Sequence, residues 1–160
     1  MILGMSLETF TLVHVLISLA GIASGLIVMY GFFTNRRLDG WTAVFIVTTT
    51  LTSVTGFLFP FKTVTPGIKL GIISLVVLAL AIATRYLVHL TWRKTYVIAA
   101  CCALYFNVFV LVVQSFEKVP PLRALAPTQT EPPFAVVQIV VLLLFVVATV
   151  FAVKRFRIAS

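Results

Sequence analysis

Charge is scarce in this chain. Only 10% of its 160 residues are charged, 61% are hydrophobic and the mean hydropathy is +1.17. A soluble globular domain carries about 25% charged residues, so a water-soluble fold is excluded and a bilayer is the expected solvent. Acids are rarer still, with four in all: Glu8, Asp39, Glu117 and Glu131. That number supplies no proton relay of several members, which argues against a pump. Glu117 and Glu131 sit at loop ends beside Lys118 and prolines, where capping or ion pairing is the ordinary role of a carboxylate. The two cysteines, Cys101 and Cys102, are adjacent, which is neither a redox C-x-x-C pair nor a metal-ligand spacing. They read as small packing residues. H-E-x-x-H, G-x-S-x-G and Walker A patterns are all missing, so no catalytic residue and no metal ligand is assigned. Internal repeats of the kind built into many secondary transporters are missing as well.

What is present is a series of five apolar segments: Phe10 to Phe33, Trp41 to Phe59, Ile68 to Leu90, Thr95 to Phe116 and Phe134 to Val153. Each has about 19 to 24 residues, enough at 1.5 Å per residue to cross a hydrocarbon core of about 30 Å. The expected fold is therefore an all-α integral membrane protein, a single domain over residues 1–160 that bundles five transmembrane helices. The first segment is too long for the apolar region of a signal peptide and is expected to remain as an anchor. Pro60 ends the second segment, because the residue before a proline avoids helical geometry. A proline-rich loop over residues 117–131 separates the last two segments.

The net charge of +8 does not imply nucleic acid, because the cations lie at segment ends, where they meet lipid headgroups and set topology. Eight fall on one side: Arg36, Arg37, Arg85, Arg93, Lys94, Lys154, Arg155 and Arg157. Four fall on the other: Lys62, Lys69, Lys118 and Arg123. The excess of Lys and Arg marks the cytoplasmic side, so the N-terminus is expected outside, the C-terminus in the cytoplasm and the proline-rich loop outside. Lys69 and Arg85, about 24 Å apart along the third segment, are expected to snorkel to opposite interfaces. The compact chain and the lack of an organelle-targeting segment suggest a bacterial inner membrane.

With depth assigned, the intramembrane polar residues concentrate in the outer half. His14 and Gln138 lie about 6 Å, and Gln114 about 3 Å, from the outer ends of their segments, with Asn107 near mid-depth. Asn107 and Gln114 share a helix face, as do Thr48, Thr52 and Thr55. Candidate ligand-binding residues are therefore His14, Thr52, Thr55, Asn107, Gln114 and Gln138, with Phe106, Phe109 and Phe116 as apolar walls. Gln114 and Gln138 are at similar depth on consecutive helices and are expected to meet beneath the loop. His14 and His89 differ by about 24 Å in depth and cannot share a haem or a metal. Ser18, Gly21, Gly25 and Gly56 are helix-packing candidates, Gly21 and Gly25 of the first segment forming a Gly-x-x-x-Gly pair that admits close helix approach.

These residues suit interhelical hydrogen bonding as well as they suit a ligand. The leading expectation is a non-enzymatic accessory or scaffold subunit, partnered by the lipid bilayer and by other membrane proteins or copies of itself. The alternative is a membrane protein holding a quinone, a lipid or a haem in the outer half, with possible redox linkage; quinone or haem enters as a cofactor under that alternative alone. A small-solute or ion pathway is a third expectation, motivated by the hydroxyl stripe of the second segment.

Overall fold

The computed structural model describes residues 2–61, 63 and 66–157; Lys62, counted above toward topology, lies outside them. The first helix, α1 (Leu7–Phe33), starts at Ser6, whose hydroxyl accepts the Thr9 amide in an N-cap, with Glu8 in the first turn. Its end is a Schellman turn. Asn35 adopts φ 55°, one of the few residue types that tolerate the left-handed region. The Asn35 amide donates to the Phe32 carbonyl and the Arg36 amide to the Gly31 carbonyl, which satisfies the last carbonyls of the helix.

After that turn come α2 (Asp39–Gly56) and α3 (Pro66–Ile82), the latter continuing into a π-helical segment, Ala83–Leu87. The longest later helix, α4 (Arg93–Lys118), is followed by a short α5 (Pro120–Leu125) and by α6 (Pro132–Arg155). Among the described residues the fold is all-helical, with no strand, and four stretches are long and apolar enough to cross a membrane: Leu7–Phe33, Pro66–Leu87, Arg93–Lys118 and Pro132–Arg155. Threonine-rich α2 is not one of these four. The loop expected over 117–131 is partly helical, because α4 runs on to Lys118 and Pro120 and Pro121 open α5, prolines being preformed for a first helical turn. The third segment is not one regular helix to Leu90 either. It widens at Ala83 and reverses at His89 and Leu90, both with positive φ.

In the bundle, α1 packs on α2, α4 and α6, while α4 packs on α1, α3 and α6. The core between them holds Val28, Met29, Phe32, Phe45, Leu78, Val97, Ala100, Cys101, Ala103 and Leu104. Small residues set the spacing. A Cβ added to Gly25 would lie 2.6 Å from Leu104 Cδ1 and 2.8 Å from Phe45 Cε2, so the backbone of α1 approaches side chains of α2 and α4 as closely as packing permits. The outward surface is apolar, with Leu12, Leu16, Val76, Leu143, Leu144 and Val147 all exposed. Such a surface matches hydrocarbon, not water.

Candidate functional site

At the end of the bundle that carries the N-terminus of α1, His14 Nδ1 lies 2.7 Å from Thr55 Oγ1. Thr55 has a single hydroxyl hydrogen, and the Leu51 carbonyl at 2.6 Å receives it. His14 Nδ1–H must then be the donor to Thr55, which leaves Nε2 of the neutral ring as an acceptor. Phe59 stands edge-on to the imidazole at 5.2 Å and to Phe10 at 5.0 Å, and Lys118 is within electrostatic reach of the ring. Gly56 is not required for this approach, since a Cβ there would meet His14 Cε1 at an ordinary contact distance of 3.8 Å.

The other candidates are bonded elsewhere. Thr52 donates to the Thr48 carbonyl and Ser18 to the His14 carbonyl, each within its own helix. Thr48 and Thr50 likewise donate back to Val44 and Ile46, so the hydroxyl stripe of α2 is largely consumed by its own backbone, as is usual for mid-helix Thr. Asn107 donates to buried Thr49 at 3.2 Å, next to Gly21, where an added Cβ would fall 3.3–3.5 Å from Thr48, Thr49 and Asn107. Gln114 donates to Glu117 one turn on, and Gln138 to the Phe109 carbonyl of α4. Gln114 and Gln138 therefore bond to different partners and not to each other. Gln138 Oε1 is buried without a partner. His14 and Thr55 are brought together, Asn107 joins α4 to α2, and Thr52, Gln114 and Gln138 each bond to a different partner.

The proline-rich loop is held down. Gln129, at φ 59°, donates to the Val113 carbonyl at 2.9 Å, and Phe116 packs edge-on against Phe134 at 5.4 Å. Glu131 occupies the N-cap position of α6, yet its side chain does not cap that helix. It turns back and accepts from the Thr128 amide and hydroxyl and from the Thr130 amide. Desolvation pushes the Glu131 carboxyl upward, but the hydrogen bonds together outweigh it and hold the group below its ordinary value.

The most elaborate polar cluster is at the opposite end. Arg85, on the π-helical segment, is buried, its side chain 2% exposed. It forms an ion pair with Asp39 at the start of α2 and donates to the Tyr96 hydroxyl at 2.9 Å. Tyr96 also lies beside Thr42. The guanidinium packs over the rings of Tyr96 and Tyr86 at 5.1 and 5.6 Å, and its Nε has no partner. Arg85 thus does not snorkel, as its place in the third segment suggested. The extra residue of the π turn rotates it inward, a recognised use of such turns. Phe32, Tyr96 and Phe156 form an adjoining aromatic cluster. Arg93 closes the end of α6 by donating to the Phe156 carbonyl at 2.5 Å, and the Arg157 amide donates to Asn35 at 2.7 Å. The cation count put Arg85 on the same side as Arg36 and Arg37, and Asp39 follows those two closely in the chain, but the count took no account of acids and did not pair Arg85 with Asp39.

Matched against family models, curated proteins and solved structures, the chain finds no counterpart. Among the described residues no group of three or more His, Cys, Asp or Glu is placed to hold a metal ion. The gap bounded by Gly25, Phe45, Cys101 and Leu104 is too narrow for a water molecule.

Proposed function

We propose that the chain is a non-enzymatic integral membrane protein acting as an accessory or scaffold subunit, in a larger membrane assembly or as a homo-oligomer of the bacterial inner membrane. The observation that carries this reading is where the polar side chains go. Asn107, Gln114, Gln138 and the α2 threonines are engaged with the protein's own helices and loops, which builds a rigid bundle and leaves few groups for a substrate. The hydroxyl stripe is accordingly poor support for a solute pathway. Within the bundle α6 buries only 11% of its most apolar stretch, and its outward side offers area for another subunit. Chemical cross-linking in native membranes followed by mass spectrometry tests the reading. Reproducible cross-links from α6 to a second chain are expected, and a protein that cross-links only within one monomer would sink it.

The accompanying topology has five crossings with the N-terminus outside. Its support is that α2 runs the same depth as α1. Leu38 packs at Gly31 near one end of α1, and Phe59, just past α2, packs on Phe10 and His14 near the other. If α1 crosses, α2 crosses beside it, its hydroxyls hidden in bonds to its own backbone.

A second reading, a small hydrophobic ligand such as a quinone, lipid or haem in the outer half, has one specific support. Among the described residues no side-chain hydrogen bond reaches Nε2 of His14, whose Nδ1 is taken by Thr55, and this free acceptor suits a ligand hydroxyl or a metal. An organic extract and absorption spectrum of natively purified protein decide it. A bound chromophore or quinone lost in His14→Gln supports the ligand, and a blank extract removes it.

A further inference from the structure

The cleft between the first two turns of α1 and the end of α4 has a volume of about 530 Å³ and is lined by Leu7, Glu8, Thr11, Leu12, Val15 and Lys118. Thr11 gives its hydroxyl hydrogen to the Leu7 carbonyl, so the polar character of the cleft rests on Glu8 and Lys118. Among the described residues neither forms an ion pair or a side-chain hydrogen bond, and they are not paired with each other. Both side chains are exposed, and two unpaired charges of opposite sign lining one open, apolar-walled cleft match an occupant that is itself zwitterionic. A headgroup of one sign would match one charge and leave the other facing its own kind.

We propose that this cleft binds a zwitterionic phospholipid bearing a primary amine, with its phosphate at Lys118 and its ammonium at Glu8. The cleft opens onto an exposed apolar stripe formed by Leu12, Leu16 and Leu19, which share a helix face at spacings of four and three. An acyl chain follows that stripe while the headgroup stays at the end of the bundle. The bilayer supplies this occupant without any further protein. Charge-assisted contacts to phosphate and ammonium give the selectivity, and the stripe gives the apolar area.

The test uses the full chain in nanodiscs made from equal phosphatidylethanolamine and phosphatidylglycerol, with lipid retention read by native mass spectrometry. Phosphatidylethanolamine is expected to be retained several-fold over phosphatidylglycerol. Glu8→Gln should abolish that preference while phosphatidylglycerol retention persists, and Lys118→Gln should lower both. The exchange Glu8→Lys with Lys118→Glu should restore the preference, since a zwitterion can bind reversed. Both side chains are free of internal partners, so unchanged thermal unfolding of the variants will show that the fold is intact. Equal retention of the two lipids by the unmodified protein, a preference for phosphatidylglycerol, or a preference indifferent to both single substitutions would overturn the proposal.

Discussion

Arg85 is the residue whose surroundings carry the largest electrostatic stake. A buried guanidinium must be paired, because an isolated charge in a medium of low dielectric is very costly. Here the counter-charge comes from Asp39, which remains 65% exposed and also lies 3.6 Å from Arg37. Breaking a fully buried pair costs about 3–5 kcal/mol, and the exposure of Asp39 lowers that figure through solvent screening. Asp39→Ala is therefore expected to destabilise by about 1–3 kcal/mol, the range for leaving a buried donor unsatisfied. Arg85→Met keeps an apolar volume and removes the charge. The double variant Asp39→Ala with Arg85→Met should be more stable than Asp39→Ala alone, since replacing a buried ion by a well-packed apolar side chain is often neutral. Thermal unfolding of the four forms in one detergent gives the double-mutant cycle, and an additive result would mean that the two side chains do not depend on each other.

At the scale of helices and loops, two contacts carry opposite sensitivities. Gly25 faces Leu104 and the rigid ring of Phe45 within 2.6–2.9 Å of a new Cβ, whereas Gly56 has only His14 Cε1 at 3.8 Å. Gly25→Ala should cost about 1–3 kcal/mol by overpacking, while Gly56→Ala should be neutral or slightly stabilising, because it removes backbone freedom from the unfolded chain. Equal melting temperatures for the two variants would contradict the close approach of α1. The loop before α6 is sensitive to pH instead. The Glu131 carboxyl is held below its ordinary value by hydrogen bonds from Thr128 and Thr130. A group with a depressed folded pKa contributes order that is present above the unfolded value and lost as pH falls through the folded one. After correction for the intrinsic pH dependence of exchange, protection of the Thr128 and Thr130 amides should hold at neutral pH and fall in acid, and Glu131→Gln should flatten that profile. The helices and the proximity of His14 to Thr55 were legible in the sequence, since apolar length and Pro60 delimit segments and depth arithmetic puts both residues near one end. The fate of Gln114 and Gln138 was not. Depth follows from counting residues, but rotation about the axis follows from packing, and α6 is apolar on all sides, so nothing in its pattern told which way Gln138 turns. Arg85 escaped for a related reason: a lone Arg near a segment end reads as snorkelling, and the extra residue of a π turn leaves no mark on a 3.6-residue period.

For the whole molecule, the number of crossings is the property on which the other assignments depend, and parity makes it measurable. Four helices are apolar enough to cross by composition. If only those four crossed, both termini would lie on the same side; if α2 crosses as well, they lie on opposite sides. Bilayers tolerate a threonine-rich helix when its hydroxyls are bonded back to the helix, as Thr48, Thr50, Thr52 and Thr55 are, because the unmet hydrogen-bonding groups are then few. The cation count over Lys and Arg adds the sign, with eight on one side and four on the other. Single cysteines introduced at Ser6, Thr63, Gln129 and Arg157, in a background with Cys101 and Cys102 replaced by alanine, should report this in intact cells. A membrane-impermeant maleimide is expected to label positions 6, 63 and 129 from outside and position 157 only after lysis. Labelling of 6 and 157 together with 63 protected would mean that α2 does not cross, which would put Asp39 and Arg85 on opposite faces and is incompatible with their ion pair.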